Sequence, residues 1–217
     1  MRAAAARGLT HLAITDHDRI DGAHEAWAVA AAEAPKLTVL VGQEIRTTSG
    51  DMIGLFIDEP VPPGLAPEAA IAAVRAQGGL IGIAHPFDRF RGSLGKDEAA
   101  GAVAALDAIA KQVDWIETWN ARLMFGDGNA RAAEFATRLG IPGVAVSDAH
   151  TTLEVGIAAT VLHGDPSTAD GLRAALAALP ELVTGRASAY VRLLGPAAKL
   201  VQRARGRGRV QPPVASR

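Results

Sequence analysis

The sequence predicts an α/β protein, a sheet of parallel strands curled into a TIM-like barrel. Three observations predict it. Short, almost wholly apolar runs alternate with alanine-rich helical stretches, as expected when both faces of a parallel strand are buried. Five of these runs end in a metal-type or polar residue. Leu12 to Thr15 leads into Asp16-His17-Asp18, residues 37–41 into Gly42-Gln43-Glu44, residues 80–84 into His85-Pro86, residues 115–119 into Asn120, and residues 144–147 into Asp148-Ala149-His150. Strand ends that converge on such groups describe a barrel mouth. Finally, no glycine-rich phosphate loop follows the first run, which weighs against an open, doubly wound nucleotide-binding sheet.

The elements follow in order. Residues 2–7 read as the end of a helix closed by Gly8. After the first strand, residues 23–34 form a helix stopped by Pro35. The second strand leads through a turn at Ser49-Gly50 into a further strand at 52–57. Residues 66–77 form a helix entered through Pro67 at a first-turn position and closed by Gly78-Gly79. Helices at 97–112, 128–139 and 168–178 separate the remaining strands, with one more short strand at 160–163.

The 217 residues suit one domain of barrel size, and a hydrophobic fraction of 49% with only 4% aromatics predicts a core that is aliphatic and rich in alanine. There are no cysteines. Any metal must therefore be held by imidazole and carboxylate, and a reducing compartment fits. From Lys199 to Arg217 there are six basic residues and no acid, so the body of the chain is acidic although the formal net charge is only -1. The expected organisation is one domain over 1–195 and a basic helix and solvated tail over 196–217. No apolar stretch approaches the length of a bilayer span, and a soluble, cytoplasmic protein is expected.

Four segments, Thr15-Asp16-His17-Asp18, Gly42-Gln43-Glu44, Ala84-His85-Pro86 and Ser147-Asp148-Ala149-His150, resemble the PHP (polymerase and histidinol phosphatase) superfamily, in its small stand-alone phosphoesterase branch. The resemblance runs from about residue 8 to about residue 160. It implies a distorted (βα)7 barrel that binds two or three divalent ions (Mn, Zn or Fe) and hydrolyses phosphate esters. It implies His17, Glu44, His85, Asp148 and His150 as metal ligands, with Glu44 bridging two ions and with His17, Glu44, Asp148 and His150 carrying the chemistry. Asp51 stands where many relatives carry a His ligand. The family's first strand, with its His-x-His pair, has no counterpart here, so the expected barrel lacks that strand.

The roles follow from charge. A phosphate ester and an attacking hydroxide repel one another, and divalent ions offset that repulsion and acidify water. Arg89, Arg91 and Arg122 follow His85 and Asn120 on the expected rim, where paired N–H donors suit phosphate and Asn120 suits a substrate or a loop. Several readings stay open. Asp16 binds metal or orients His17; Asp18 binds metal or caps the following helix. Glu117 lies inside the barrel or pairs with an arginine such as Arg122. Trp27, Trp115 and Trp119 read as core or rim packing. The expected partner is a small phosphorylated substrate or a nucleic-acid end, with no membrane and no obligate protein partner. Two other functions compete. One is an amidohydrolase-type cleavage of a C–N bond, against which none of the four lysines ends a strand. The other is a barrel that binds metal without catalysis.

Overall fold

The structure, a computed structural model, describes residues 1–97, 99–123, 125–188 and 204. The basic helix and tail expected over 196–217 thus lie outside the described residues, Ala204 alone excepted. Helix α1 (Arg2–Ala6) leads into strand β1 (His11–Ile14), helix α2 (Asp21–Glu33) and strands β2 (Thr38–Arg46) and β3 (Asp51–Leu55). Helix α3 (Pro67–Ala76), strand β4 (Leu80–Ile83), helix α4 (Ala100–Ala110), strand β5 (Trp115–Asn120), helix α5 (Gly128–Leu139) and strand β6 (Gly143–Val146) follow. Strand β7 (Ala159–Val161), helix α6 (Ala169–Ala177) and strand β8 (Glu181–Val183) complete the described elements.

Strands β1 to β6 form one curled, half-barrel sheet in sequential order, and β7 pairs with β8 in a second, antiparallel sheet. The sheet is not wholly parallel, contrary to the expectation from strand–helix alternation. β3 runs antiparallel to both β2 and β4, whereas β1–β2, β4–β5 and β5–β6 are parallel. The reason is the short connection after Arg46, since a tight turn can only reverse the chain, whereas a parallel neighbour needs a long crossover. Thr47 makes that turn: its N–H and hydroxyl both donate to the Gly50 carbonyl, at 3.0 and 2.5 Å. Two reversals restore direction, so β2 and β4 run the same way. The C-terminal ends of β1, β2, β4, β5 and β6 therefore share one edge of the fold, and the first residue of β3, Asp51, joins them there.

The core lies between the sheet and its helices, built from Ile45, Met52, Ile81, Ile83 and Ile116 against Val74, Leu106, Ile109 and Phe135. It is aliphatic, as the composition implied. Trp115 lies flat on Gly82, where even a Cβ would come within 2.1 Å of the indole. Trp119 sits beneath the Arg186 guanidinium, whereas Trp27 is 59% exposed on α2 and packs in no core. Helix α4 starts later than the sequence suggested, because the Ala99 N–H is taken by the Asp97 carboxylate at 2.9 Å in a turn ahead of it.

Candidate metal centre

Backbone pairing brings His17 beside Glu44. Past the end of β1, the Glu44 N–H donates to the Asp16 carbonyl (3.1 Å) and the Asp18 N–H to the Glu44 carbonyl (2.9 Å). Glu44 is thus interior to β2 rather than at its end, and the chain after β1 runs on beside it as an isolated parallel bridge. The Glu44 carboxylate lies between two imidazoles, 3.1 Å from His85 Nε2 and 3.4 Å from His17 Nε2. Glu44, Asp51 and His85 each offer one ligand atom, all within 4.8 Å of one another.

The protonation pattern of His85 tests whether a cation fits. The Ser93 hydroxyl donates to the His85 carbonyl (2.8 Å), so its oxygen is left to accept from His85 Nδ1–H at 3.3 Å. In the neutral ring that assignment leaves Nε2 as a bare lone pair facing the Glu44 carboxylate. Two acceptors at 3.1 Å repel unless a positive charge, a proton or a metal ion, lies between them. All the donors are imidazole nitrogen or carboxylate oxygen, a set suited to Mn, Fe or Zn.

A second network adjoins the first. Arg91 Nη1 donates to Asp148 Oδ2, its Nε to Asp88 Oδ2 (2.6 Å) and its Nη2 to Asn120 Oδ1 (3.2 Å). Asn120 Nδ2 in turn donates to Asp148 Oδ2 and to Glu117 Oε2, both at 3.1 Å. His150 turns its Nδ1 onto the Asp148 carbonyl at 3.0 Å. Burial alone would push the Asp148 carboxyl up, but the charges of Arg91, His150 and His85 outweigh it and hold the group below the ordinary carboxylate range. Asp88 is likewise held low: burial opposes this, but the Phe90 N–H and Arg91 prevail. Glu117 goes the other way, because burial pushes it up and its hydrogen bonds offset only part of that.

Backbone strain gathers here. Asp18, His85 and Asp148 have φ of 57°, 26° and 47°, a region that non-glycine residues enter at a cost of roughly 1–3 kcal/mol each. Each stands just beyond a strand end, where the chain turns sharply and re-aims its side chain.

Other expected site residues take different places. Asp18 is buried and accepts from the Arg46 N–H (3.1 Å) and its Nε (2.5 Å), tying the β1 loop to β2. The Asp16 carboxylate packs on Gly22, where a Cβ would come within 2.1 Å of it. Arg89 is exposed. Arg122 pairs with Glu154, a fully buried carboxylate, and Glu117 bonds to His85 N–H and Asn120 rather than to Arg122. Sequence reasoning missed Asp88, Ser93 and Glu154, and gave Gln43, though part of a quoted motif, no role of its own. Gln43 is fully buried and makes a two-way bond with the Val61 backbone, at 2.7 and 2.9 Å. Only their proximity to the quoted motifs could have drawn attention to the first three.

The arrangement defines an α/β protein whose imidazoles and carboxylates gather at one end of a curled sheet. Residues 126–179 match the PHP-associated family. MJ1587 of Methanocaldococcus jannaschii is 38% identical over 95 residues, 44% of this chain and 54% of that relative. MJ0417 of the same organism is 39% identical over 116 residues, 53% of this chain and 47% of that relative. The chain thus spans about half the length of the curated relatives it matches. A crystal structure from Bacteroides vulgatus, of a two-domain protein containing a predicted PHP-like metal-dependent phosphoesterase, superposes with a TM-score of 0.64. It is 16% identical and covers 85% of this chain and 59% of that one. Residues 126–179 are thus similar to the PHP-associated family, and the fold as a whole is similar to that of the Bacteroides structure.

Proposed function

We propose that the chain is a metal-dependent phosphoesterase acting on a phosphomonoester, a nucleotide or an oligonucleotide end. The observation that carries this reading is the Glu44 carboxylate set between His17 and His85 with Asp51 beside it. In this reading His17, Glu44, His85 and Asp51, with Asp148 and His150 on the adjoining arm, hold the two or three divalent ions of a distorted (βα)7 barrel. Bound there, Mn, Zn or Fe supplies the positive charge that lets a phosphate anion be attacked by water.

The residues around these donors have separable tasks. Arg91 presents a guanidinium beside Asn120, and its fork of N–H groups suits phosphate oxygens. Arg122 serves the fold instead, through Glu154. His150 donates from Nδ1 to the Asp148 carbonyl two residues earlier, which leaves Nε2 as a candidate ligand at the rim.

The test is hydrolysis of p-nitrophenyl phosphate and of nucleoside monophosphates by the purified chain with Mn2+, before and after chelation, alongside metal content by mass spectrometry. Glu44→Ala and His85→Ala should each remove activity and bound metal. A native chain that holds no divalent ion and releases no phosphate would overturn the proposal.

A further inference from the structure

Strand β5 carries an irregularity that the site depends on. Its register against β6 shifts between Glu117, which faces Val144, and Trp119, which faces Ala145. Thr118 is the extra residue of a β-bulge. In a regular strand, residues three apart point to opposite faces. The bulge turns the chain so that Glu117 and Asn120 meet, Asn120 Nδ2 donating to Glu117 Oε2 at 3.1 Å.

One oxygen of Glu117 then does two things. Oε2 accepts from the His85 N–H at 3.0 Å and from Asn120 Nδ2 at 3.1 Å. The same Asn120 nitrogen reaches Asp148 Oδ2 at 3.1 Å. His85 and Asp148 are both held in the left-handed region. A buried acceptor beneath them, 6% exposed, is thus bonded to the backbone of the one and, through Asn120, to the side chain of the other. No donor that faces the candidate ligands is supplied by Glu117 itself.

We propose that Glu117 is a positioning residue which locks the His85 and Asp148 arms at the spacing a divalent ion requires. This rests on the phosphoesterase reading. It assigns the role to the acceptor oxygen of Glu117 and not to its negative charge. Because a single oxygen takes both bonds, a glutamine can supply them with its own carbonyl oxygen, and an alanine cannot. Buried groups that orient metal ligands typically change affinity about 10- to 100-fold when removed.

The experiment is Mn2+ titration by calorimetry on metal-free native chain, Glu117→Gln and Glu117→Ala, with folding checked by circular dichroism. Glu117→Gln is expected to bind within about threefold of native, and Glu117→Ala about 10-fold or more weakly. Native-like affinity in Glu117→Ala, or equal loss in both variants, would overturn the positioning role. If Glu117→Ala does not fold, Asn120→Ala cuts the Asp148 branch, together with the bonds that Asn120 Oδ1 accepts from Arg91 and the Arg122 N–H, while sparing the Glu117–His85 bond, and native affinity in that variant would likewise overturn it. A native chain that binds no Mn2+ would instead sink the phosphoesterase reading itself, so the two failures are distinguishable.

Discussion

Arg122 and Glu154, 32 residues apart in sequence, meet at 2.6 Å and tie the loop after β5 to the loop after β6. Glu154 also accepts from the His150 N–H at 2.9 Å and the Thr151 hydroxyl at 3.1 Å, so one carboxylate holds the turn that presents His150. Glu154→Ala leaves a mostly buried guanidinium and a backbone N–H without their acceptor. Removing one partner of such a pair costs about 3–5 kcal/mol. Urea unfolding should show a loss of that order, and a loss below about 1 kcal/mol would mean that water replaces the carboxylate.

Arg91 sets a pH dependence in the metal-free protein. Asp148 and Asp88 both sit below their ordinary values in the folded state, burial opposing and Arg91 promoting the shift. A depressed carboxylate contributes stability above its unfolded value of about 4, and that contribution disappears as pH falls through the lower folded value. Arg91→Leu should therefore lose stability near neutrality and approach the native curve as pH falls below the ordinary carboxylate range. Urea midpoints measured across that range with chelator present check this, and parallel curves would contradict it.

Gly92 separates stability from metal binding. A Cβ there would lie 2.7 Å from Asp51 Oδ2 and 2.9 Å from Oδ1, so the carboxylate must swing away. Gly92→Ala should weaken Mn2+ binding while shifting the unfolding midpoint little, because the obstructed atoms end a side chain and are not backbone. Calorimetric titration and thermal melts on the same sample decide it. Unchanged Mn2+ affinity would remove Asp51 from the set of ligands.

Much of this fold was legible in the sequence, and particular residues show where that stopped. Pro67 and Gly78 marked the two ends of a helix because proline suits a first turn and glycine frees the backbone just past a last one, and α3 indeed begins at Pro67, with Gly78 at φ of 76° beyond its end. His17, Glu44 and His85 were legible as a group because their motifs are local in sequence, and they do converge. The turn at Ser49-Gly50 was legible, and so short a link already implied a reversal, but the strand–helix rhythm elsewhere carried the parallel reading over β3 as well. The bulge at Thr118 leaves no compositional mark, so the meeting of Glu117 with Asn120 was invisible. Three arginines stand near the rim in sequence; only the fold shows that Arg91 enters, Arg89 stays exposed and Arg122 is taken by Glu154. Strand β8 is three residues long and exposed throughout, so it carries no burial pattern to read.

Metal binding should appear as stability. The Glu44 carboxylate faces the Nε2 atoms of both His85 and His17, and a cation there would be held by the anionic oxygens and the imidazole nitrogens together. A ligand that binds only the folded state adds about 2.7 kcal/mol at 100 times its dissociation constant. For a chain of this size that raises the melting temperature by about 5–10 °C. Chelator should reverse the shift, and Glu44→Gln should show little of it, because a neutral amide neither attracts the ion nor bridges as two anionic oxygens do. A native melting temperature that ignores both Mn2+ and chelator, in a chain shown to be folded, would mean that these donors hold no ion and that the His85–Glu44 contact is an imidazolium–carboxylate pair.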